Sequence, residues 1–275
     1  MTSELSDESA LSVGTDRFEF SDWAGPDLPV WTYVPDTIDR KNAPILFVMH
    51  GARRDPERYR DQWIDEADRG GFIIVAPEFS RQDFAGSLGY NLGAMYDSET
   101  GELRDEGRWG FSAIEPIFDD VVRRLNGKQS RYTIFGHSAG SQFVHRFLMM
   151  KPDNRAKRYL AANAGWYTFV DEKIEFPFGL GGTLVAQEDL RKILAKDVVI
   201  LLGDQDIDTE HKSLNRSEGA MLQGQHRFAR GQAFYDAAKN LADKNSWDFG
   251  WSLRVIPSVA HSNRGIAAGS FDLVE

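Results

Sequence analysis

Ser138 stands in Gly136-His137-Ser138-Ala139-Gly140, directly after the strand-forming run Tyr132-Thr133-Ile134-Phe135 and directly before helix-forming residues. A strand that ends in Gly-x-Ser-x-Gly and turns at once into a helix is a nucleophile elbow. The five-letter pattern alone could arise by chance in a chain with 25 glycines, so the strand–helix context carries the weight. A serine nucleophile needs a base to take its proton and a carboxylate to orient that base. Asp204 and Asp206 follow the apolar run Val198-Val199-Ile200-Leu201-Leu202, and His261 comes later, in Pro257-Ser258-Val259-Ala260-His261-Ser262. The order Ser, Asp, His on successive strand ends suits acyl transfer through a covalent intermediate. With no cysteine in the chain, thiol nucleophiles, disulfides and thiolate metal sites are excluded.

Those three residues must be carried by a sheet. Residues 17–23 and 29–34 read as a hairpin turned at Gly25-Pro26-Asp27, and residues 43–49 form a continuous apolar run, as a strand covered on both faces requires. A polar helix over 59–69, stopped by Gly70-Gly71, leads to a buried strand over 72–77. Strand, helix, strand implies a right-handed crossover and a parallel sheet. Ser112 with Glu115 reads as a helix start, and Ile114, Ile117, Phe118, Val121 and Leu125 form the apolar stripe. After the elbow come strands over 159–165, 198–203 and 251–256, a long helix over 231–244, and a last helix near Arg264. Two stretches lack periodicity and read as loop excursions, residues 78–110 and 167–190. The expected fold class is α/β: a mostly parallel, doubly wound sheet with an N-terminal antiparallel hairpin and small lid-like insertions. Residues 1–15 read as a disordered lead-in and 16–275 as a single domain.

On these residues the chain resembles the α/β-hydrolases, and within them bacterial esterases of the polyhydroxybutyrate depolymerase-like kind. The likeness lies in His50-Gly51, the elbow with Gln142-Phe143-Val144-His145-Arg146, Asn163-Ala164-Gly165-Trp166-Tyr167, and Gly203-x-x-Asp206. It implies a serine hydrolase acting on carboxylic esters, with Ser138 as nucleophile and His261 as base. Its strand-Gly-x-x-Asp spacing selects Asp206 over Asp204 as the acid. The oxyanion hole is then expected from the N–H groups of Ala139 and of Ala52, in the loop after His50-Gly51. Arg53 and Arg54 read as a solvated turn rather than a grip on an anionic substrate. His137 is expected to leave the elbow in another direction, His145 to be a satisfied packing residue, and His211 and His226 to be surface or loop residues. Aromatic rings on loops at strand ends (Tyr90, Trp109, Trp166, Tyr167, Phe176, Phe178) are expected to wall the substrate pocket.

A net charge of −10 argues against nucleic-acid partners. No apolar run approaches the roughly 20 residues of a membrane span. The polar, acidic opening lacks the regions of a signal peptide, so a cytoplasmic location is expected. Asp97, Glu99, Glu102, Asp105 and Glu106 fail the EF-hand pattern, and no phosphate-binding glycine loop is present; neither metal nor cofactor is expected. The expected partner is a small-molecule or polyester substrate. Two alternatives stand: a peptidase, thioesterase or lactonase with the same triad, and a non-catalytic binding protein on the same fold.

Overall fold

The computed structural model describes residues 10–274. Its centre is an eight-stranded sheet of order β1-β2-β4-β3-β5-β6-β7-β8. The strands are β1 (Gly14–Phe20), β2 (Leu28–Val34), β3 (Ile45–Met49), β4 (Ile73–Pro77), β5 (Tyr132–His137), β6 (Ala156–Ala162), β7 (Val198–Gly203) and β8 (Trp251–Ile256). β2 pairs antiparallel with both β1 and β4, and every other pairing is parallel. The hairpin thus sits at the edge, as expected. Its first strand is displaced: it begins at Gly14 and ends at Phe20, and Leu11 ahead of it is buried. The expected lead-in over residues 1–15 otherwise lies largely outside the described residues.

The helices are α1 (Pro56–Asp61), α2 (Ile64–Gly70), α3 (Gly86–Gly89), α4 (Ile114–Leu125), α5 (Ala139–Met150), α6 (Gln187–Ala195), α7 (Glu218–Met221), α8 (Arg227–Asn245) and α9 (Asn263–Ala268). The single helix expected over 59–69 is two, broken at Gln62-Trp63, and ends as expected at Gly71 in the left-handed conformation. α6 occupies part of the segment that showed no periodicity. Ser112 does not cap α4: its hydroxyl donates to the Glu106 carbonyl, and a 3₁₀ turn over Gly110–Ala113 precedes the helix.

Alternation along the buried strands divides the core. Ile45, Phe47, Met49 and Ile134 face a layer made by α4, α5, α6 and α8, while Leu46, Val48 and Phe135 face α1, α2 and α9. Period-2 side chains on a sheet covered on both faces must do this. β5 is fully buried within the sheet. Its C-terminal end therefore lies among the ends of β3, β6, β7 and β8, at the carboxyl edge where ligands bind in doubly wound folds. No helix among the described residues is long and apolar enough to cross a membrane.

Candidate active site

The site is built by five consecutive strand ends. Ser138 follows β5 at φ 60°, ψ −116°, a strained conformation for a residue with a side chain. Glycine on either side makes the turn possible. A Cβ on Gly136 would collide with the Gly140 carbonyl, and one on Gly140 with the Met49 carbonyl of β3. The strand and helix can pack this closely only without those methyl groups.

Neighbouring strands are about 4.8 Å apart, so a residue after β8 must cross roughly 14 Å of sheet edge to reach the end of β5. The loop 257–262 makes that crossing in anchored steps. Asp204 N–H donates to Ile256 O (3.2 Å), Gln205 N–H donates to Val259 O (2.9 Å), and Ser258 N–H donates to Asp204 Oδ1 (2.8 Å). Asn163, at the end of β6 with φ 46°, accepts from Gly203 N–H (2.9 Å) and reaches Ala260 O with its amide (3.4 Å). His261 is thereby delivered beside Ser138, whose Oγ–H donates to Nε2 at 3.0 Å. On its other side, Nδ1–H donates to Asp206 Oδ2 at 2.6 Å. Asp206 is 3% exposed; Asp204 instead braces the loop.

Asp206 has a second partner that was not read from the sequence. Arg227, at the start of α8 and 1% exposed, places Nη1 at 3.4 Å from Asp206 Oδ1. The separation of 21 residues carries no local pattern that could reveal the pair. Arg227 Nη2 also donates to Ser213 Oγ (3.0 Å) and to His211 Nδ1 (3.3 Å).

The loop after β3 forms the opposite wall. His50 is fully buried; its Nδ1–H donates to Gly51 O (3.1 Å) and its Nε2 accepts from Phe79 N–H (3.0 Å). Burial pushes its imidazole down to about 3, so it stays neutral. Arg54 donates to the carbonyls of Phe79, Phe84 and Gly86 at 2.6, 3.0 and 2.9 Å. It is a strut for the long loop, not part of a solvated turn. Ala52 and Ala139, the expected oxyanion donors, make no other hydrogen bond through their N–H groups among the described residues.

These elements enclose a cavity of about 320 Å³ lined by Ala52, Ser138, His137 and His261, with Arg53, Arg58 and Lys212 among the charged members. Arg58 pairs with Asp55 at 3.3 Å, whereas Arg53 and Lys212 have no ion pair or hydrogen bond among the described residues. None of the expected aromatic walls lines it. Tyr90 is fully buried, stacks on His50 (4.5 Å between ring centroids) and donates to His50 O at 2.7 Å. Trp166 packs on Phe178, beside Leu92 and Phe176, under the buried Arg146 guanidinium. Tyr167 stacks on Phe234, and Trp109 borders a separate cleft of about 90 Å³. The reason is energetic: each ring gains more by covering the apolar bodies of α5 and α8 than by facing a polar cavity.

The remaining histidines divide. His145 is satisfied, with Nδ1–H donating to Ser141 O (2.8 Å) and Nε2 accepting from Thr168 N–H (3.1 Å). His226 caps α8 by accepting from Ala229 N–H. His211 lines the cavity, and His137, expected to turn away, lies with its ring 4.5 Å from that of His261. A serine hydroxyl, imidazole and buried carboxylate in this line can transfer an acyl group from an ester or amide to water.

No protein-family model matches the chain, and no curated protein sequence does. Solved structures do match. A poly(aspartic acid) hydrolase-1 from Sphingomonas sp. KT-1 is 44% identical over 96% of this chain and 99% of its own, with a TM-score of 0.93. LpqC, a poly(3-hydroxybutyrate) depolymerase from Bordetella parapertussis, is 33% identical over 95% of this chain and 90% of its own, with a TM-score of 0.89. This chain belongs to the α/β-hydrolase serine esterases. An S-formylglutathione hydrolase from Agrobacterium tumefaciens, 17% identical over 95% of this chain and 94% of its own, shares the α/β-hydrolase fold at a TM-score of 0.60. In this hydrolase Ser138, Asp206 and His261 lie where the fold puts ligands, at the carboxyl ends of the strands.

Proposed function

We propose that this α/β-hydrolase cleaves carboxylic acyl bonds, esters foremost, through an acyl-enzyme on Ser138. His261 Nε2 accepts the hydroxyl proton as Oγ attacks the carbonyl carbon, then returns it to the leaving oxygen or nitrogen as the acyl–enzyme bond remains. Water attacks in the second half, giving its proton to the same nitrogen and releasing the acid and free Ser138. Asp206 holds the imidazole in the Nδ1–H form and faces the charge it acquires. The N–H groups of Ala139 and Ala52 donate to the oxyanion. The observation that carries this reading is the unbroken line Ser138 Oγ, His261 Nε2 (3.0 Å), His261 Nδ1, Asp206 Oδ2 (2.6 Å) at the cavity wall. A fluorophosphonate probe should label Ser138, and Ser138→Ala should lose both labelling and p-nitrophenyl acetate turnover. A folded Ser138→Ala enzyme that still turns over would refute the assignment.

A second observation bears on the substrate. In a chain of net charge −10, the cavity holds two cations without acidic partners among the described residues, Arg53 and Lys212. That favours a substrate bearing carboxylates, in keeping with the relative named for poly(aspartic acid), over a neutral polyester. Arg53→Ser and Lys212→Ser should each lower kcat/KM for poly(aspartic acid) by roughly fivefold, as expected for exposed charge pairs, and leave p-nitrophenyl acetate unchanged. Preference for poly(3-hydroxybutyrate), with no salt dependence, would reverse this second reading alone.

A further inference from the structure

Three imidazoles meet at the cavity. The His261 ring lies 4.5 Å from that of His137, tilted by 39°, and 5.8 Å from that of His211, edge-on at 60°. Hydrogen bonds fix the protonation of both neighbours. Tyr59 Oη lies 3.2 Å from His137 Nδ1. Burial pushes that phenol up, so it keeps its proton and donates it, which makes Nδ1 the acceptor and puts the ring hydrogen on Nε2. His137 Nε2 is buried and has no hydrogen-bond partner among the described residues. For His211, Nδ1 receives Ser213 N–H at 3.2 Å and the Arg227 guanidinium at 3.3 Å, so it too must be an acceptor. Both rings are therefore neutral, with the hydrogen on Nε2.

Charge around the cluster keeps them so. Burial, then the neighbouring His261 and Arg227, hold His137 well below the usual imidazole range. Burial, Arg227 and His261 lower His211, against the opposing pull of Asp208 and Asp206. Among the described residues, the only carboxylate in hydrogen-bond reach of any of the three rings belongs to Asp206, and it is bonded to His261. Arg53, Arg58 and Lys212, with Asp55, complete the charged groups on the cavity wall.

We infer that His137 and His211 are positioning residues for the proposed reaction: neutral imidazoles packed on His261 that hold its ring on the line from Ser138 to Asp206 and leave it the one ring that takes the serine's proton. This rests on the triad reading above. Neutral neighbours place no second positive charge beside His261 as it takes the serine's proton, and their packing restricts the rotation of its ring. Tyr59 sets the rotation of His137, and its Oη packs on Gly51 of the opposite wall, where any Cβ would collide. The same contact thus registers the His50-Gly51-Ala52 loop against the elbow.

The test follows kcat and KM of p-nitrophenyl acetate hydrolysis, with fluorophosphonate titration of Ser138 in every variant. His137→Ala should lower kcat roughly tenfold with KM unchanged, within what a misplaced catalytic group costs. His137→Phe, which restores a ring, should recover kcat to within about threefold of wild type. His211→Ala, on a half-exposed loop, should lower kcat by about threefold with KM unchanged and serves if His137→Ala fails to fold. Unchanged kcat in the alanine variants, or a phenylalanine variant as poor as alanine, would overturn the inference while leaving the triad standing. A wild-type enzyme that does not label at Ser138 would overturn both.

Discussion

Two regions hang from the same strand ends and differ in kind. On one side, the cavity around Ser138 is polar and walled by short loops: Gly51-Ala52-Arg53, His211-Lys212-Ser213 and Ser262-Asn263. On the other, Tyr90, Phe79, Phe111, Phe143, Tyr167 and Phe234 form a dry aromatic belt with almost no exposed surface. Its ring hydroxyls meet backbone: Tyr90 Oη donates to His50 O, and Tyr167 Oη accepts from Ala164 N–H. The contrast teaches that a ring placed just after a strand can serve the site by bracing the loop behind it. Polar residues, Ser138, His137, His211 and His261 among them, then do the facing.

The contrast can be broken first with acid. His50 and His145 belong to the dry side and His137 to the cavity wall, and burial pushes all three below the usual imidazole range, His50 to about 3. The unfolded chain binds protons at these histidines below about pH 6.5 and the folded one excludes them, so stability falls as pH drops through that value. At pH 5 His50 alone should cost about 2 kcal/mol, and His145 and His137 act in the same direction. Denaturant unfolding at pH 7 and pH 5 measures it; equal stabilities would show that the histidines are open to protonation in the folded state.

On the cavity side, Asp206→Asn should reduce kcat by about a thousandfold or more, because it disturbs the imidazole's tautomer. Asp204→Asn should act mainly through the loop it braces and cost far less. Steady-state kinetics on the pair decide whether the two aspartates have been exchanged.

Trp166→Ala tests the belt directly. It should lower stability by about 3 kcal/mol and leave the ratio of kcat/KM between short and long acyl esters unchanged. A changed ratio with an unchanged melting temperature would return Trp166 to the pocket. The smallest effect is expected from Tyr90→Phe, which removes the bond to His50 O at a net cost of about 1 kcal/mol. It should show as a few-fold lower kcat if that bond registers the Gly51-Ala52 loop.

What could be read from the chain beforehand was local. Gly-His-Ser-Ala-Gly marks β5 and α5 because two glycines are the only way to turn that tightly, and the apolar runs mark β3, β4 and β7 because both faces are covered. His261 lies beyond a strand end, where order in the chain pairs it with Ser138, while order leaves Asp204 and Asp206 both open and only the family resemblance selects Asp206. Side-chain direction was not legible. Nothing in Trp166-Tyr167 distinguishes a ring facing a cavity from one facing α8, and Arg227–Asp206 and Tyr59–His137 join residues 21 and 78 positions apart. The break at Gln62-Trp63 escaped the periodicity because α1 and α2 keep one apolar face, with Tyr59, Trp63 and Ala67 in the same cluster.

Acid quenching of the enzyme within the first turnover of p-nitrophenyl acetate, followed by peptide mass mapping, tests whether Ser138 forms the proposed acyl-enzyme. An acetyl mass increment is expected on the peptide that contains Ser138, absent from Ser138→Ala. An increment on any other residue, or turnover by Ser138→Ala at the wild-type rate, would contradict the proposal.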